Sequence, residues 1–249
     1  MSGHSKWSTI KHKKGNTDAK RAKIFTKLQK EILVAAKIGE PNPDFNPRLR
    51  NAVIAARAQN MPKDKIEGAI KKATASNEGS NFEELRYEGY GPSGVAIMVE
   101  ALTDNKNRTA PSVRAIFGKS GGTLGASGSV SYMFERIGFI AYESNKISED
   151  EIFEIGVEAG ADSVESSNNW HEIICSPNEF TKVRDILIEK FGDPKEAKLD
   201  WKAKTSTTIT NQEQAEKILK LVDRLEDDDD VQNVTGNYDI SDEIMEKLV

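Results

Sequence analysis

The chain has 249 residues, 37% of them hydrophobic and 30% charged, a net charge of −5 and a single cysteine. That size can bury a core in one large domain or two or three smaller ones. No run approaches the roughly 18–20 apolar residues of a membrane span, and Cys175 alone makes neither an internal disulfide nor a cysteine metal cluster.

The charge is unevenly placed. Residues 1–75 hold 17 Lys/Arg against 6 Asp/Glu, and the rest of the chain holds 18 against 34. A cationic module on an acidic body points to a polyanionic partner, nucleic acid first.

The N-terminal MSGHSKWSTIKHKKG is basic without an apolar stretch behind it, so it is expected not to be a secretory signal, and a reducing cytoplasm is the expected compartment. Its Lys6, Trp7, Lys11, Lys13 and Lys14 make a basic, glycine-containing arm suited to phosphate. Trp7 either stacks on an exposed base or packs on the helices that follow.

Residues 17–38 read as a long helix, capped by Thr17 or Asp18 and ended by Gly39 and Pro41. Ile24, Phe25, Leu28, Ile32, Ala35 and Ala36 form its apolar stripe. Lys20, Lys23, Lys27 and Lys30 fall on a narrow arc nearly opposite, with Arg21 adding to the charge. One face is built to pack and the other to meet negative charge.

Asn46-Pro47 opens a second helix running to about Gln59, with Leu49, Val53 and Ala56 inward. Its Arg48, Arg50 and Arg57 either extend the cationic patch or pair with acids of a neighbouring domain. Asn60-Met61-Pro62 opens a third helix whose buried row is Ile66, Ala69, Ile70 and Ala73. Three amphipathic helices with short connections predict a small bundle.

Residues 74–81 read as a polar linker, and the texture then turns to α+β. Residues 95–102 predict a strand and 109–119 a helix. Between them Asn105, Asn107 and Arg108 sit in TDNKNRT, either as a secondary contact to phosphate or RNA or, the reading favoured, as a turn and cap. The glycine-rich 121–128 lacks a phosphate-loop ending and predicts a flexible turn, with a strand at 129–135 behind it. Strand 138–143, helix 148–159, strands 162–167 and 170–175, helix 178–191 and a strand near 199–208 give the βαββαβ order of a ferredoxin-like unit. A last helix (211–225) and strand (231–238) must pair with 95–102 and 129–135, which makes the ferredoxin-like unit an insertion.

Catalysis finds little support. His4, His12 and His171 lack metal-ligand spacing, and Cys175 lies late in a strand where a core thiol is the usual occupant. The acidic run at 226–230 reads as a solvated loop, rather than a Mg²⁺ site or a mimic of nucleic acid. Neither a cofactor nor a metal is expected, and the chain is not expected to be an enzyme.

Gly3-His4-Ser5-Lys6-Trp7, Asp18-Ala19-Lys20-Arg21, Phe25-Thr26-Lys27 and Asn46-Pro47-Arg48-Leu49-Arg50 resemble the N-terminal signature of a known family. Asn60-Met61-Pro62, Tyr87-Glu88-Gly89-Tyr90-Gly91-Pro92, Leu102-Thr103-Asp104-Asn105, Asn107-Arg108-Thr109 and Gly121-Gly122 extend the match. The chain resembles the YebC/PmpR family of bacterial regulators, related to the mitochondrial translational activator of cytochrome oxidase. It departs at Gly39-Glu40-Pro41-Asn42-Pro43, where the family shows a glycine-richer turn.

The resemblance agrees with the predicted fold class, multidomain α and α+β: a three-helix bundle (1–77) and two α/β sandwich domains, one of 78–136 plus 206–249 and a ferredoxin-like one (137–205) inserted in it. It implies a cytoplasmic, non-enzymatic regulator. A DNA-binding transcriptional regulator is expected first, and a ribosome-associated translation factor binding ribosomal RNA is the alternative. No membrane partner is expected, and the residues do not specify an oligomeric state.

Overall fold

The computed structural model describes residues 18–75 and 81–248. The basic arm with Lys6, Trp7, Lys11, Lys13 and Lys14, and the linker's residues 76–80, lie outside the described residues. The architecture is multidomain, α and α+β. The chain divides into two compact units, Met1–Lys27 with Asn81–Glu135 and Lys202–Val249, and Leu28–Ser80 with Arg136–Trp201.

The second unit begins part-way along α1 (Asp18–Ile38), which is followed by α2 (Pro47–Ala58) and α3 (Lys63–Ala75). Ile32, Ala35, Leu49, Val53, Ala56, Ile66, Ala69 and Ala73 are buried, as the helical period predicts, while Ile70 is only half-buried. Asn46 joins the first two helices. Its Oδ1 accepts the Leu49 N–H at 3.0 Å, capping α2, and its Nδ2 donates to the carbonyls of Ala35 and Glu40, each at 2.8 Å. A Cβ on Gly39 would lie 2.6 Å from that amide nitrogen, so glycine there leaves room for the junction.

The same unit contains the ferredoxin-like element: β4 (Phe134–Glu143), α5 (Glu149–Ala159), β5 (Ser163–Ser166), β6 (Trp170–Cys175), α6 (Phe180–Phe191) and β7 (Glu196–Ala203). The sheet order is β5-β6-β4-β7. Ile140, Tyr142, Ile173 and Cys175 pack with Ile152, Val183 and Leu187 of the helices. Alternate strand residues Ile137, Phe139, Ala141, Trp170 and Ile174 form a separate buried cluster.

In the first unit β1 (Glu83–Tyr90), β2 (Ala96–Thr103), β3 (Thr123–Leu124) and β9 (Val231–Gly236) form one sheet, ordered β3-β1-β2-β9. A parallel pair of β8 (Thr207–Ile209) and β10 (Tyr238–Ile240) stands apart from it. Val95, Ile97 and Val99 pack against Val113 and Phe117 of α4 (Lys106–Lys119) and Leu221, Val222 and Leu225 of α7 (Gln212–Glu226). A last helix, α8, spans Asp242–Leu248.

Several boundaries differ from the sequence expectation. Residues 131–133 form a 3₁₀ turn, and the strand beyond runs unbroken from Phe134, so the separate strands 129–135 and 138–143 are not formed. The strand near 199–208 is two, β7 and β8, and the last strand is split into β9 and β10. Helix α4 begins three residues early, because Asn105 caps it. β1 pairs with β2 along its whole length yet escaped the sequence reading, since its EELRYEGY has too few β-branched residues to mark it.

Candidate nucleic-acid interface

The lysine row is on α1. Lys20 is exposed, and Lys23, Lys27 and Lys30 are half-buried. The Arg21 guanidinium lies 5.4 Å from the centre of the Phe25 ring, which tethers it to its own helix.

Two members of the row have partners at the end of α7. Lys23 Nζ is 3.3 Å from Asp227 Oδ1 and donates to the Asp227 carbonyl at 3.0 Å, while Lys27 Nζ donates to the Glu226 carbonyl. Carbonyls at a helix C-terminus lack intrahelical donors and carry the negative end of the dipole. The acidic run 226–230 adds carboxylates at the same place. Sequence reading leaves that run as a solvated loop; the structure brings it to the lysines.

The arginines of α2 separate. Arg48 forms a two-bond clasp on Glu31, Nε to Oε1 at 2.7 Å and Nη2 to Oε2 at 3.0 Å. Arg50 donates to the carbonyls of Pro43 and Asp44 and lies 3.6 Å from Asp185 Oδ2. Arg57 is exposed. It faces a pocket of about 540 Å³ whose lining also includes Asn60, Lys146, Lys190 and Lys195, and the acids Glu143, Glu151 and Asp193.

Asn105, Asn107 and Arg108 are used locally. Asn105 Oδ1 accepts the N–H groups of Asn107 and Arg108 at 3.1 and 3.2 Å, capping α4. Arg108 Nη2 reaches Asp230 Oδ2 at 2.8 Å and Asp104 Oδ1 at 2.9 Å, and the hydroxyl of Thr109 donates to Asp230 at 2.8 Å. Asp230 is buried, so these bonds hold an interior carboxylate.

The glycine-rich loop does cradle an anion, but an internal one. The buried Glu88 carboxylate accepts the N–H groups of Gly128, Val130 and Ser131 at 3.0, 2.8 and 2.8 Å. Burial alone would raise this carboxyl. The three N–H bonds and the nearby Arg86 charge outweigh burial and hold it below the ordinary glutamate value. Only the succession of N–H groups reveals this role, which no side-chain pattern carries.

The other reactive side chains are structural. Cys175 is buried, and burial pushes its thiol up to about 11. Both ring nitrogens of buried His171 are bonded, Nε2 to the Ile147 carbonyl at 2.9 Å and Nδ1 to the Ser166 hydroxyl at 2.7 Å. Among the described residues no group of three His, Cys, Asp or Glu is placed to hold a metal ion, and no helix is long and apolar enough to cross a membrane.

Residues 5–76 match the family model described as the TACO1/YebC protein N-terminal domain, and residues 82–238 match that of the TACO1/YebC second and third domain. The structure is similar to the crystal structure of a conserved hypothetical protein, Aq1575, from Aquifex aeolicus. The two are 47% identical, with a TM-score of 0.83 over 90% of this chain and 93% of that one.

Proposed function

The chain belongs to the TACO1/YebC family, a transcription-regulator-like family, and from that premise we propose that it is a non-enzymatic, nucleic-acid-binding regulator of gene expression, acting as a DNA-binding transcriptional regulator. The observation that carries the reading is charge segregation. The first 75 residues hold 17 Lys/Arg against 6 Asp/Glu, and four lysines share one arc of α1. Such a face gains affinity by releasing the counterions of a phosphate backbone. A polyanion takes Lys23 by displacing the exposed Asp227 carboxylate and carbonyl, and competes with the Glu226 carbonyl among the partners of Lys27. The acidic remainder of the chain disfavours diffuse polyanion binding elsewhere and leaves the basic face as its main docking surface.

The second reading is a translation factor on ribosomal RNA. Trp7 and the glycine-containing basic arm favour it, because irregular RNA exposes bases that an aromatic side chain can cover.

Crosslinking in cells followed by sequencing of both bound DNA and bound RNA separates the two. Enrichment of particular duplex sites supports transcription, and enrichment of ribosomal RNA supports translation. In vitro, log affinity should fall with log salt at about 0.9 per phosphate contacted. A slope near one removes the lysine face as the binding surface.

A further inference from the structure

Tyr132 sits on the 3₁₀ turn Ser131–Met133, and its side chain is left 67% exposed. The backbone beneath it is fixed from four directions. Gly128 turns the loop at φ 87°, and the Glu88 carboxylate gathers the N–H groups of Gly128, Val130 and Ser131. Met133 N–H closes the turn on the Val130 carbonyl at 2.9 Å, and Lys204 N–H donates to the Met133 carbonyl at 2.9 Å. A buried carboxylate and several backbone bonds thus hold an exposed ring in one place, the arrangement of a prepared contact rather than of a loop tip.

Two further groups complete the patch. Tyr90, 38% exposed at the end of β1, donates its hydroxyl to the Ser129 carbonyl at 3.0 Å, which brings it to the loop that carries Tyr132. Lys204 is exposed and donates its ammonium to the Tyr132 carbonyl at 3.1 Å; it has no ion pair among the described residues. Glu88, the buried acid that holds this loop, has its charge taken up by three N–H groups. Two aromatic rings beside an uncompensated cation, on an otherwise acidic part of the chain, match one ligand chemistry: a flat base with a phosphate attached.

We propose that Tyr132 and Tyr90, with Lys204 beside them, are a stacking site for an unpaired base of single-stranded nucleic acid. The inference rests on the nucleic-acid reading above and adds to it a second contact, far in sequence from the lysine row. Bases in a duplex stack on each other and offer no free face, whereas a single strand offers one at every nucleotide. Tyr132 would cover the base, Tyr90 would add a second aromatic surface anchored to the loop through the Ser129 carbonyl, and Lys204 would meet the adjoining phosphate.

The test uses the full chain, a single-stranded oligouridine RNA carrying one 5-iodouridine, and a DNA duplex of matched length. Tyr132→Ala should weaken single-strand binding by roughly tenfold, the loss typical of one stacked base, and leave duplex binding unchanged. Tyr132→Trp should restore the affinity, which a general folding defect would not permit. Lys204→Gln should lower the single-strand salt slope by about one-half to one. Photocrosslinks from the iodouridine should map to Tyr132 or Tyr90, in the parent chain and in Lys20/Lys23/Lys27→Glu alike. Crosslinks elsewhere, with undiminished affinity in Tyr132→Ala, overturn the site while leaving the lysine face standing. Crosslinks at Tyr132 together with undiminished duplex and single-strand affinity in the triple lysine variant overturn the lysine reading and keep the site; a fall in affinity with the crosslinks retained supports both.

Discussion

Lys23 Nζ lies 3.3 Å from Asp227 Oδ1, so the cationic row already holds one of the chain's own acids. The two side chains are 43% and 56% exposed, and a pair this wet contributes only about 0–1 kcal/mol. A phosphate backbone can displace it. Asp227→Asn should therefore leave thermal stability nearly unchanged and raise polyanion affinity a few-fold at low salt, the gain fading as salt screens the site. Lys23→Gln with Lys27→Gln should do the reverse and lower the salt slope by about two. Titrations of a labelled duplex across a salt series check both, and identical slopes for all three proteins would place the binding surface elsewhere.

The Arg48 clasp on Glu31 gives α2 a different expectation. Its side chain is spent on α1, so Arg48→Ala should cost roughly 1 kcal/mol of stability. Polyanion binding should fall little. Glu31→Gln should cost a similar amount, and the double variant less than the sum of the two. Arg57 is exposed, and Arg57→Ala should keep stability within about 0.5 kcal/mol. Loss of affinity in Arg57→Ala, without loss in Arg48→Ala, would assign the patch extension to Arg57 rather than Arg48. Urea unfolding beside binding titrations separates these outcomes.

Asp230 is the hub of a third expectation. It is buried and accepts from Arg108, Thr103 and Thr109, so Arg108→Ala removes a charged, multiply bonded partner from an interior carboxylate. A loss of about 2–3 kcal/mol is expected, visible as a lower unfolding midpoint. Arg108→Lys keeps the charge but not the fork, and should recover only part of it. If Arg108→Lys restored stability fully yet still bound nucleic acid poorly, Arg108 would be a contact residue and not only a clasp.

The bundle and the ferredoxin-like unit were legible because their signals are local. Ile32 and Ala35 repeat at helical spacing, as do Val53 and Ala56, and Asn46-Pro47 announces a cap at the residue where the cap forms. What escaped depends on distant partners. Nothing near Lys23 or Lys27 in the chain foretells Glu226 and Asp227, about 200 residues on, because a charge row looks the same whether it faces water or an acidic helix end. β1 was missed for a related reason: its place between β2 and β3 is set by pairing, not by its own composition. Glu88 belongs to a motif that the sequence makes conspicuous, yet its task is visible only when the loop at 128–131 has folded over it.

That task makes stability depend on pH in a definite direction. The folded Glu88 carboxyl sits below its ordinary value of 4.5, so folding favours the ionised form. Its contribution is fully present above that ordinary value, and is lost as the pH falls through the lower, folded-state value. Glu88→Gln replaces one acceptor oxygen by an NH₂ that must face a backbone N–H, so one or two of the three bonds fail. We expect a loss of about 2–3 kcal/mol at neutral pH. The gap between parent and variant should narrow only as the pH falls below 4.5 and through the lower, folded-state value, where the parent carboxyl is itself protonated. Urea unfolding from pH 7 down to about pH 3 measures this directly. A gap independent of pH would mean that the carboxylate charge does not hold the loop, and that Glu88 acts by shape alone.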